Sequence, residues 1–240
     1  MINKDFSFIR IIEPYPIWII DNFLDEKIIN EVNRDWVSQD TGLWGSGYEK
    51  VDGKKNILEH GMRWLNDYEL MPESISKVIR YFHSDEFTQE IGKITDTDNL
   101  VTDESRNWSG MRVMLPNSYQ LIHSDARSHP NKDGLRKELT CLMYFNEDYD
   151  RERDEGCLEI WNDDVSKRDY EIEPINNRFV VFQNSDTSYH GVPLVNSERR
   201  SITFSILTND DVSKRTKALF VPREGDSDEV KEMARKRLEV

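Results

Sequence analysis

Cysteine is scarce in this chain, with two among 240 residues. Two thiols cannot build the disulfide framework of a small secreted domain, and Cys141 and Cys157 both stand in apolar stretches that suit buried free thiols in a reducing compartment. Long apolar runs are also absent: no stretch reaches about 18 residues, and the first ten residues lack the apolar segment of a signal peptide. We therefore expect a cytoplasmic protein that does not cross a membrane.

Positive charge is in the minority. The chain has 32 Lys and Arg against 46 Asp and Glu, a formal net charge of −14. A surface this acidic repels phosphate backbones and anionic lipid headgroups, so we expect neither nucleic acid nor a membrane as a partner. The length of 240 residues suits one domain with decorations.

The first hundred residues have mixed periodicity. An extended segment interrupted by prolines spans about 9–22, and helical spacing predicts helices at about 25–37, 72–82 and 87–94. The stretch 38–64 has no period, which predicts loops. Its candidates for a lid over a binding site are Trp44, Tyr48 and His60.

From about residue 101 the pattern changes to short apolar runs separated by turns, which is typical of β-sandwiches and barrels. A turn is predicted at 116–118, between strands at 108–115 and 119–125. We expect region 1–100 to pack on a β core formed by 101–210. The extension 211–240 should end in a helix capped near Ser227, all within one structural domain.

One of these strands ends in His123-Ser124-Asp125. Because side chains alternate along a strand, His123 and Asp125 project to the same side and can share an ion. His190, 65 residues later, is the candidate for a third ligand. Two histidines and a carboxylate on one side of a metal are the facial triad of non-haem Fe(II) oxygenases. His129 competes with His123 on composition, but we expect it in a flexible loop, where a site of fixed geometry is harder to build.

A last strand begins nine residues after His190, with Arg199 and Arg200. Alternation places Arg200 with the apolar residues of that strand, and Arg199 with Thr203 and Ser205. A guanidinium on the polar face can hold a carboxylate through a bidentate pair. We therefore predict that Arg199 is the carboxylate anchor, with Thr203 and Ser205 supplying further hydrogen bonds. Arg200 takes its place if a bulge shifts the register.

Taken together, these landmarks resemble the 2-oxoglutarate and Fe(II)-dependent dioxygenases, specifically their prolyl 4-hydroxylase-like branch. The shared pattern is His-x-Asp, a distal His and a basic residue about ten positions further on, and it spans residues 108–207. The resemblance implies a mainly β fold with flanking α-helices, built on a double-stranded β-helix of the jelly-roll or cupin type. It also implies Fe(II), 2-oxoglutarate as co-substrate and O₂, with ascorbate as a candidate reductant.

The resemblance also assigns roles to residues. The implied iron ligands are His123, Asp125 and His190. Arg199 corresponds to the basic residue that binds the far carboxylate of 2-oxoglutarate. Tyr144 corresponds to the tyrosine whose hydroxyl joins that arginine, although a packed aromatic residue in a β core is an equal reading of this position.

Substrate contacts are predicted at three further positions. Trp161 and Asn162 fall where members of the family often line the substrate cleft. Arg127 follows Asp125 by two residues, which places it near the mouth of the same pocket.

The implied reaction is hydroxylation of an unactivated C–H bond, with succinate and CO₂ as co-products. A prolyl residue of a peptide or protein is the first expectation for the substrate, and a small molecule stays open. One alternative is a non-catalytic cupin-like protein that binds or senses a metal or ligand. Another is a nucleic-acid demethylase. The Arg-x-Asn-x-Thr-x-Arg strand of that class is absent, since segment 199–205 lacks both the Asn and the final Arg. The oligomeric state is not indicated.

Overall fold

The computed structural model describes residues 1–46, 50–51, 54–209, 214–223 and 225–239. The strands are β1 (Ser7–Ile11), β2 (Ile17–Asp21), β3 (Gly45–Ser46), β4 (Lys50–Val51), β5 (Lys54–Lys55), β6 (Glu59–Leu65), β7 (Leu100–Val101), β8 (Gly110–Ser124), β9 (Arg136–Tyr144), β10 (Leu158–Trp161), β11 (Arg168–Ile172), β12 (Phe179–Gln183), β13 (His190–Val192), β14 (Arg199–Thr208) and β15 (Leu219–Phe220). The helices are α1 (Glu26–Arg34), α2 (Glu73–Phe82), α3 (Asp85–Thr95), α4 (Arg151–Asp154) and α5 (Asp228–Glu239).

Thirteen of the described strands form one antiparallel sheet, whose main path runs β1-β2-β12-β9-β14-β8-β13-β10-β11. Strand β8 joins its two parts. The first half of β8 pairs with β14, and its second half pairs with β13. The sheet therefore curls over itself at β8, as the predicted barrel requires.

The predicted turn at 116–118 is wrong as a chain reversal, because β8 runs through it. Asn117 adopts a left-handed φ of 69°, but its amide still donates to Val195 O at 2.7 Å. Ser118 O accepts from Val195 N at 2.9 Å. These bonds hold the segment against a neighbouring stretch of chain, so the Pro-Asn-Ser sequence makes a bend within one strand.

The amino-terminal region does more than pack on the barrel. Strands β1 and β2 pair with each other, and β2 pairs with β12, so both extend the sheet. The expected single extended segment is thus two strands, with Pro14 and Pro16 in the connection between them. Proline cannot donate a ladder hydrogen bond, which explains why the strands end there.

Helices α1, α2 and α3 cover the outer face of this sheet. Their buried residues include Ile29, Val32, Ile75, Phe82 and Phe87, and they share one core with the apolar residues of β14. Each of the three helices corresponds to an expected helix, and its ends lie within a few residues of the predicted ones. Pro72 and Ser84 precede α2 and α3, and Ser84 caps α3 through Phe87 N.

The expectation of loops throughout 38–64 is wrong for its end, because β6 pairs with β8. Gly61 breaks the alternation there: it adopts a φ of 72°, and a side chain would collide with Ser118. Trp44 lies 6.5 Å from the Trp36 ring and donates to Ser38 O, so it packs beside the core. Tyr48 lies outside the described residues.

The carboxyl-terminal segment returns to the barrel. Strand β15 pairs with β8 at Ser124 and His123. Helix α5 packs through Met233 and Ala234 against Leu58 and Phe220. Its predicted cap is confirmed, because Ser227 Oγ accepts from Val230 N at 3.3 Å. None of the helices in the described ranges is both long and apolar enough to span a bilayer.

Candidate active site

The predicted metal ligands lie on, or directly after, two neighbouring strands, β8 and β13. His123 in β8 is the cross-strand partner of His190 in β13, and their ring centroids are 4.3 Å apart. Asp125 follows directly after β8. One ligand atom from each residue lies within 4.8 Å of the others. This geometry agrees with the prediction, made from strand alternation, that His123 and Asp125 project to the same side and can share an ion.

Hydrogen bonds to the backbone orient both imidazoles. Nδ1 of His123 lies 2.9 Å from Leu121 O, and Nδ1 of His190 lies 2.9 Å from Ser188 O. Carbonyls only accept, so Nδ1 carries the hydrogen in each ring and Nε2 is left with its lone pair. Burial, followed by the nearby His123, lowers the pKa of His190 to about 4. A neutral ring is the form that binds a metal.

Asp125 is held by one of its two oxygens. Lys137 Nζ lies 3.0 Å from Oδ2, and Thr140 Oγ1 donates to the same atom at 2.9 Å. Oδ1 faces His123 Nε2 at 3.6 Å. Burial alone would raise the pKa of Asp125, but the charge of Lys137 opposes this, and the pKa lies well below its usual value. The carboxylate is therefore ionised, with Oδ1 available as a single ligand atom.

The donor set fits Fe(II). Two neutral imidazole nitrogens and one carboxylate oxygen converge from one side, which is the 2-His-1-carboxylate arrangement. Aromatic rings support both histidines from behind: Phe220 stacks on His123 at 5.1 Å, and Phe182 lies 4.7 Å from His190. The residues that would hold the metal are thus fixed in place by packing and by backbone bonds.

Arg199 is a buried cation whose hydrogen bonds go to uncharged groups. Its Nε donates to Gly156 O at 2.9 Å and its Nη2 to Tyr144 Oη at 3.1 Å. Its side chain is in none of the ion pairs found among the described residues, although Arg199 is only 6% exposed. A buried charge without a counter-ion is costly, so the arrangement calls for an anionic ligand.

Tyr144 and Gly156 complete the surroundings of Arg199. Burial raises the pKa of Tyr144 despite the opposing effect of Arg199, so the phenol is neutral. Because the guanidinium donates to the phenol oxygen, the phenol hydrogen remains for a ligand. Gly156 adopts a φ of 74°, and a Cβ there would come within 3.4 Å of Arg199 Cδ and 3.1 Å of Val195. The glycine therefore permits the close approach of the backbone to Arg199.

A cavity of about 600 Å³ connects these groups. Arg199 and the polar residues of β14 line it together with the three metal-site residues. Thr203 and Ser205 therefore face the cavity, as predicted. Arg200 points elsewhere, bonding Glu198 at 2.5 Å and lying over the Trp36 ring at 5.8 Å. The register of β14 therefore directs Arg199, and not Arg200, toward the cavity.

The three predicted substrate residues are not among the described residues that line the cavity. Arg127 pairs with Asp186 at 3.7 Å. Trp161 donates its indole hydrogen to Glu159, and Asn162 bonds Ser166 and Lys167 within a turn. A substrate larger than the cavity could still reach them, and their role in binding stays a prediction.

His129 is excluded for a different reason from the one expected. It is buried and well held, with Nε2 3.0 Å from Ser105 Oγ and 3.5 Å from Asp103. Nδ1 accepts from Asn131 N at 3.1 Å. The expectation of a flexible loop was wrong, and both ring nitrogens are engaged away from the metal site.

Sequence reasoning missed several residues of the site. Lys137 lies in a run of charged residues that looks like a solvated strand end, and Phe220 and Glu59 belong to segments without a pattern. Glu59 accepts from Gln120 Nε2 at 2.8 Å, and the same amide nitrogen lies 3.4 Å from His123 Nε2. The only sequence signal for further residues of the site was the alternation of β9, which puts Thr140 and Leu142 on one face.

Comparison with known proteins indicates a family for the β core. Residues 110–206, which contain all four predicted landmarks, match the model of the 2OG-Fe(II) oxygenase superfamily. The matched segment makes up somewhat less than half of this chain. No curated protein sequence matches it. The match supports a dioxygenase that uses Fe(II), 2-oxoglutarate and O₂, and the donor set above agrees with that requirement.

Solved structures share the fold of this chain. A prolyl 4-hydroxylase from Pseudomonas putida has a TM-score of 0.60 at 16% identity, covering 80% of this chain and 92% of its own. A prolyl hydroxylase from Trichoplax adhaerens, in complex with a hypoxia inducible factor peptide fragment, has 0.58 at 18%, covering 79% and 82%. A prolyl 4-hydroxylase from Phytophthora capsici has 0.54 at 19%, covering 92% and 68%. The predicted jelly-roll fold is confirmed.

Proposed function

We propose that this oxygenase hydroxylates a prolyl residue in a peptide or protein. The observation that carries the proposal is the joint placement of the His-Asp-His cluster and Arg199, which donates to Tyr144 Oη, around one cavity of about 600 Å³. Its fold is shared with several prolyl hydroxylases, one of them in complex with a peptide. A cavity that connects with the surface suits a target residue within a longer chain.

The chain's own residues position the reactants. Arg199 and Tyr144 would bind the far carboxylate of 2-oxoglutarate through charge-assisted hydrogen bonds. Lys137 and Thr140 hold Asp125 through Oδ2, so that Oδ1 would be left to bind the metal. When bound, Fe(II) with O₂ and 2-oxoglutarate supplies the oxidising power for inserting oxygen into a C–H bond. Apolar walls from Leu142, Leu158 and neighbouring side chains exclude water from this chemistry.

The non-catalytic alternative is disfavoured by Arg199. A barrel that only bound a metal would not need a buried guanidinium without a carboxylate partner, since that charge lowers stability until an anion binds. The nucleic-acid alternative is disfavoured by the absence of its characteristic strand residues and by the net charge of −14.

Succinate release in the presence of candidate substrates tests the proposal. Prolyl peptides should stimulate release above the level seen with 2-oxoglutarate alone, and mass spectrometry should find one added oxygen on proline. Asp125→Ala is the control: it should lose iron binding and turnover, because one of three ligands is gone. A protein that binds Fe(II) and 2-oxoglutarate without any such stimulation would contradict prolyl hydroxylation. One that binds neither would contradict the enzyme itself.

A further inference from the structure

Lys137 reaches the metal site because of a bulge in β9. Regular alternation would place it with Leu139, on the outer face of the sheet under the helices. The pairing with β14 shifts by one residue at this point, so that Leu139 lies opposite Ile206 while Lys137 lies opposite Leu207. An extra residue in one strand turns the side chains before it to the other face. Lys137 therefore lines the cavity, although it is only 4% exposed.

The position of the Lys137 ammonium decides which oxygen of Asp125 is left for the metal. Nζ lies 3.0 Å from Oδ2, the oxygen that also accepts from Thr140 Oγ1. A lysine side chain is long and flexible, so a single ion pair leaves it several conformations. A second contact that holds the ammonium would keep it at Oδ2 and away from Oδ1.

The indole ring of Trp108 supplies that contact. Nζ of Lys137 lies over the ring, 4.7 Å from its centroid. Among aromatic side chains, tryptophan attracts an ammonium group most strongly. The ammonium thus contacts both a carboxylate and an aromatic face, and the side chains of Lys137 and Trp108 line the same cavity.

Trp108 is itself held in place by His129 and by the turn that precedes it. The imidazole meets the indole at an interplanar angle of 72°, with the ring centroids 5.2 Å apart. The His129 side chain is fully buried, and its Nε2 lies 3.0 Å from Ser105 Oγ. Asp103 accepts from the backbone amides of Ser105 and Asn107, each at 2.9 Å. The surroundings of the indole are therefore fixed by a network that is separate from the three metal ligands.

We propose that Trp108 is a positioning residue of the metal site. By holding the Lys137 ammonium, the ring keeps that group on Oδ2 of Asp125, so that Oδ1 is the ligand atom. Trp108 acts through Lys137, and His129 supports the ring without being a ligand. This role goes beyond prolyl hydroxylation, because it concerns metal binding and is the same for any substrate.

Anaerobic Fe(II) titration of the full-length chain tests this role. Trp108→Leu removes the ring but keeps the charge of Lys137, and it should weaken Fe(II) binding about tenfold, as for other residues that orient a metal ligand. Trp108→Phe keeps a ring with a weaker attraction for the ammonium, and it should weaken Fe(II) binding about threefold.

A double-mutant cycle separates this role from a general loss of structure. In the Lys137→Met background the ring has no ammonium to hold, so Trp108→Leu should change Fe(II) affinity by less than about twofold. The comparison is made within each background, because Lys137→Met by itself removes a positive charge near the metal as well as a hydrogen bond to its ligand. If Trp108→Leu does not fold, Trp108→Phe gives the same comparison, with a loss of about threefold only where Lys137 is present.

The matched control is Tyr68→Leu. The Tyr68 ring also lies under a cation, since the guanidinium carbon of Arg106 is 4.4 Å from its centroid, but Arg106 is not the cation that bonds Asp125. This variant should change Fe(II) affinity by less than about twofold. Unchanged affinity in Trp108→Leu, equal losses in both Lys137 backgrounds, or an equal loss in Tyr68→Leu would overturn the inference. These affinities are measured without a peptide, so a failure of prolyl hydroxylation would not alter them.

Discussion

The two faces of β14 carry different parts of the molecule. On the inner face, Arg199, Thr203 and Ser205 line the cavity. On the outer face, Ile202 and Ile206 are buried under α1, α2 and α3. Neighbouring residues along one strand therefore serve chemistry and stability separately. Substitutions on one face should leave the property of the other face nearly intact, and this expectation can be tested.

The largest effect is expected on the outer face. Ile202→Ala deletes a fully buried side chain and should lower the free energy of unfolding by about 2–5 kcal/mol, because the rigid core does not refill the cavity. Urea unfolding measures this loss. The folded fraction should keep its 2-oxoglutarate KM. A raised KM together with full stability would show that the two faces are not separable.

On the inner face, Arg199→Ala should raise the KM for 2-oxoglutarate about 10- to 100-fold. This change corresponds to the binding free energy that hydrogen bonds to a charged group contribute. Arg200→Ala should change it by less than about twofold, since that side chain bonds Glu198 on the other side of the strand. Steady-state kinetics of the two variants measure the contrast. The reverse result would mean that the register of β14 differs from the one described.

A smaller, pH-dependent effect sharpens the description of the outer face. His83 follows α2 and lies 5.9 Å from the Phe204 ring, with Nε2 2.8 Å from Ser109 Oγ. Burial lowers its pKa from 6.5 to about 4. Between these values the unfolded chain binds a proton that the folded chain does not, so stability falls as the pH drops from 6.5 to 4.

His83→Gln should remove part of this loss, on the order of 1 kcal/mol, because some of the ring meets solvent. Unfolding curves of the metal-free protein at several pH values between 7 and 4 measure it. If the difference in stability between parent and variant stays constant over this range, His83 is not the group that titrates.

Local rules explain how much of the site could be predicted. Alternation along a strand is set by the backbone, so His123 and Asp125 share a side, and Arg199 and Arg200 point in opposite directions, whatever surrounds them. The same rule identified Thr203 and Ser205. Strand β6 was missed because the left-handed Gly61 interrupts its alternation, and residues 116–118 were predicted as a turn because their bend has the composition of one.

Sequence by itself determined which side chains carry the chemistry and toward which side of its own strand each one points. Only the tertiary structure decided which segments meet: His190 opposite His123, Lys137 on Asp125, Phe220 behind His123, and the basic end of α5 at the cavity. The physical reason is that side-chain direction follows from the backbone of a few residues. The pairing of distant segments, by contrast, depends on how the whole chain buries its apolar surface.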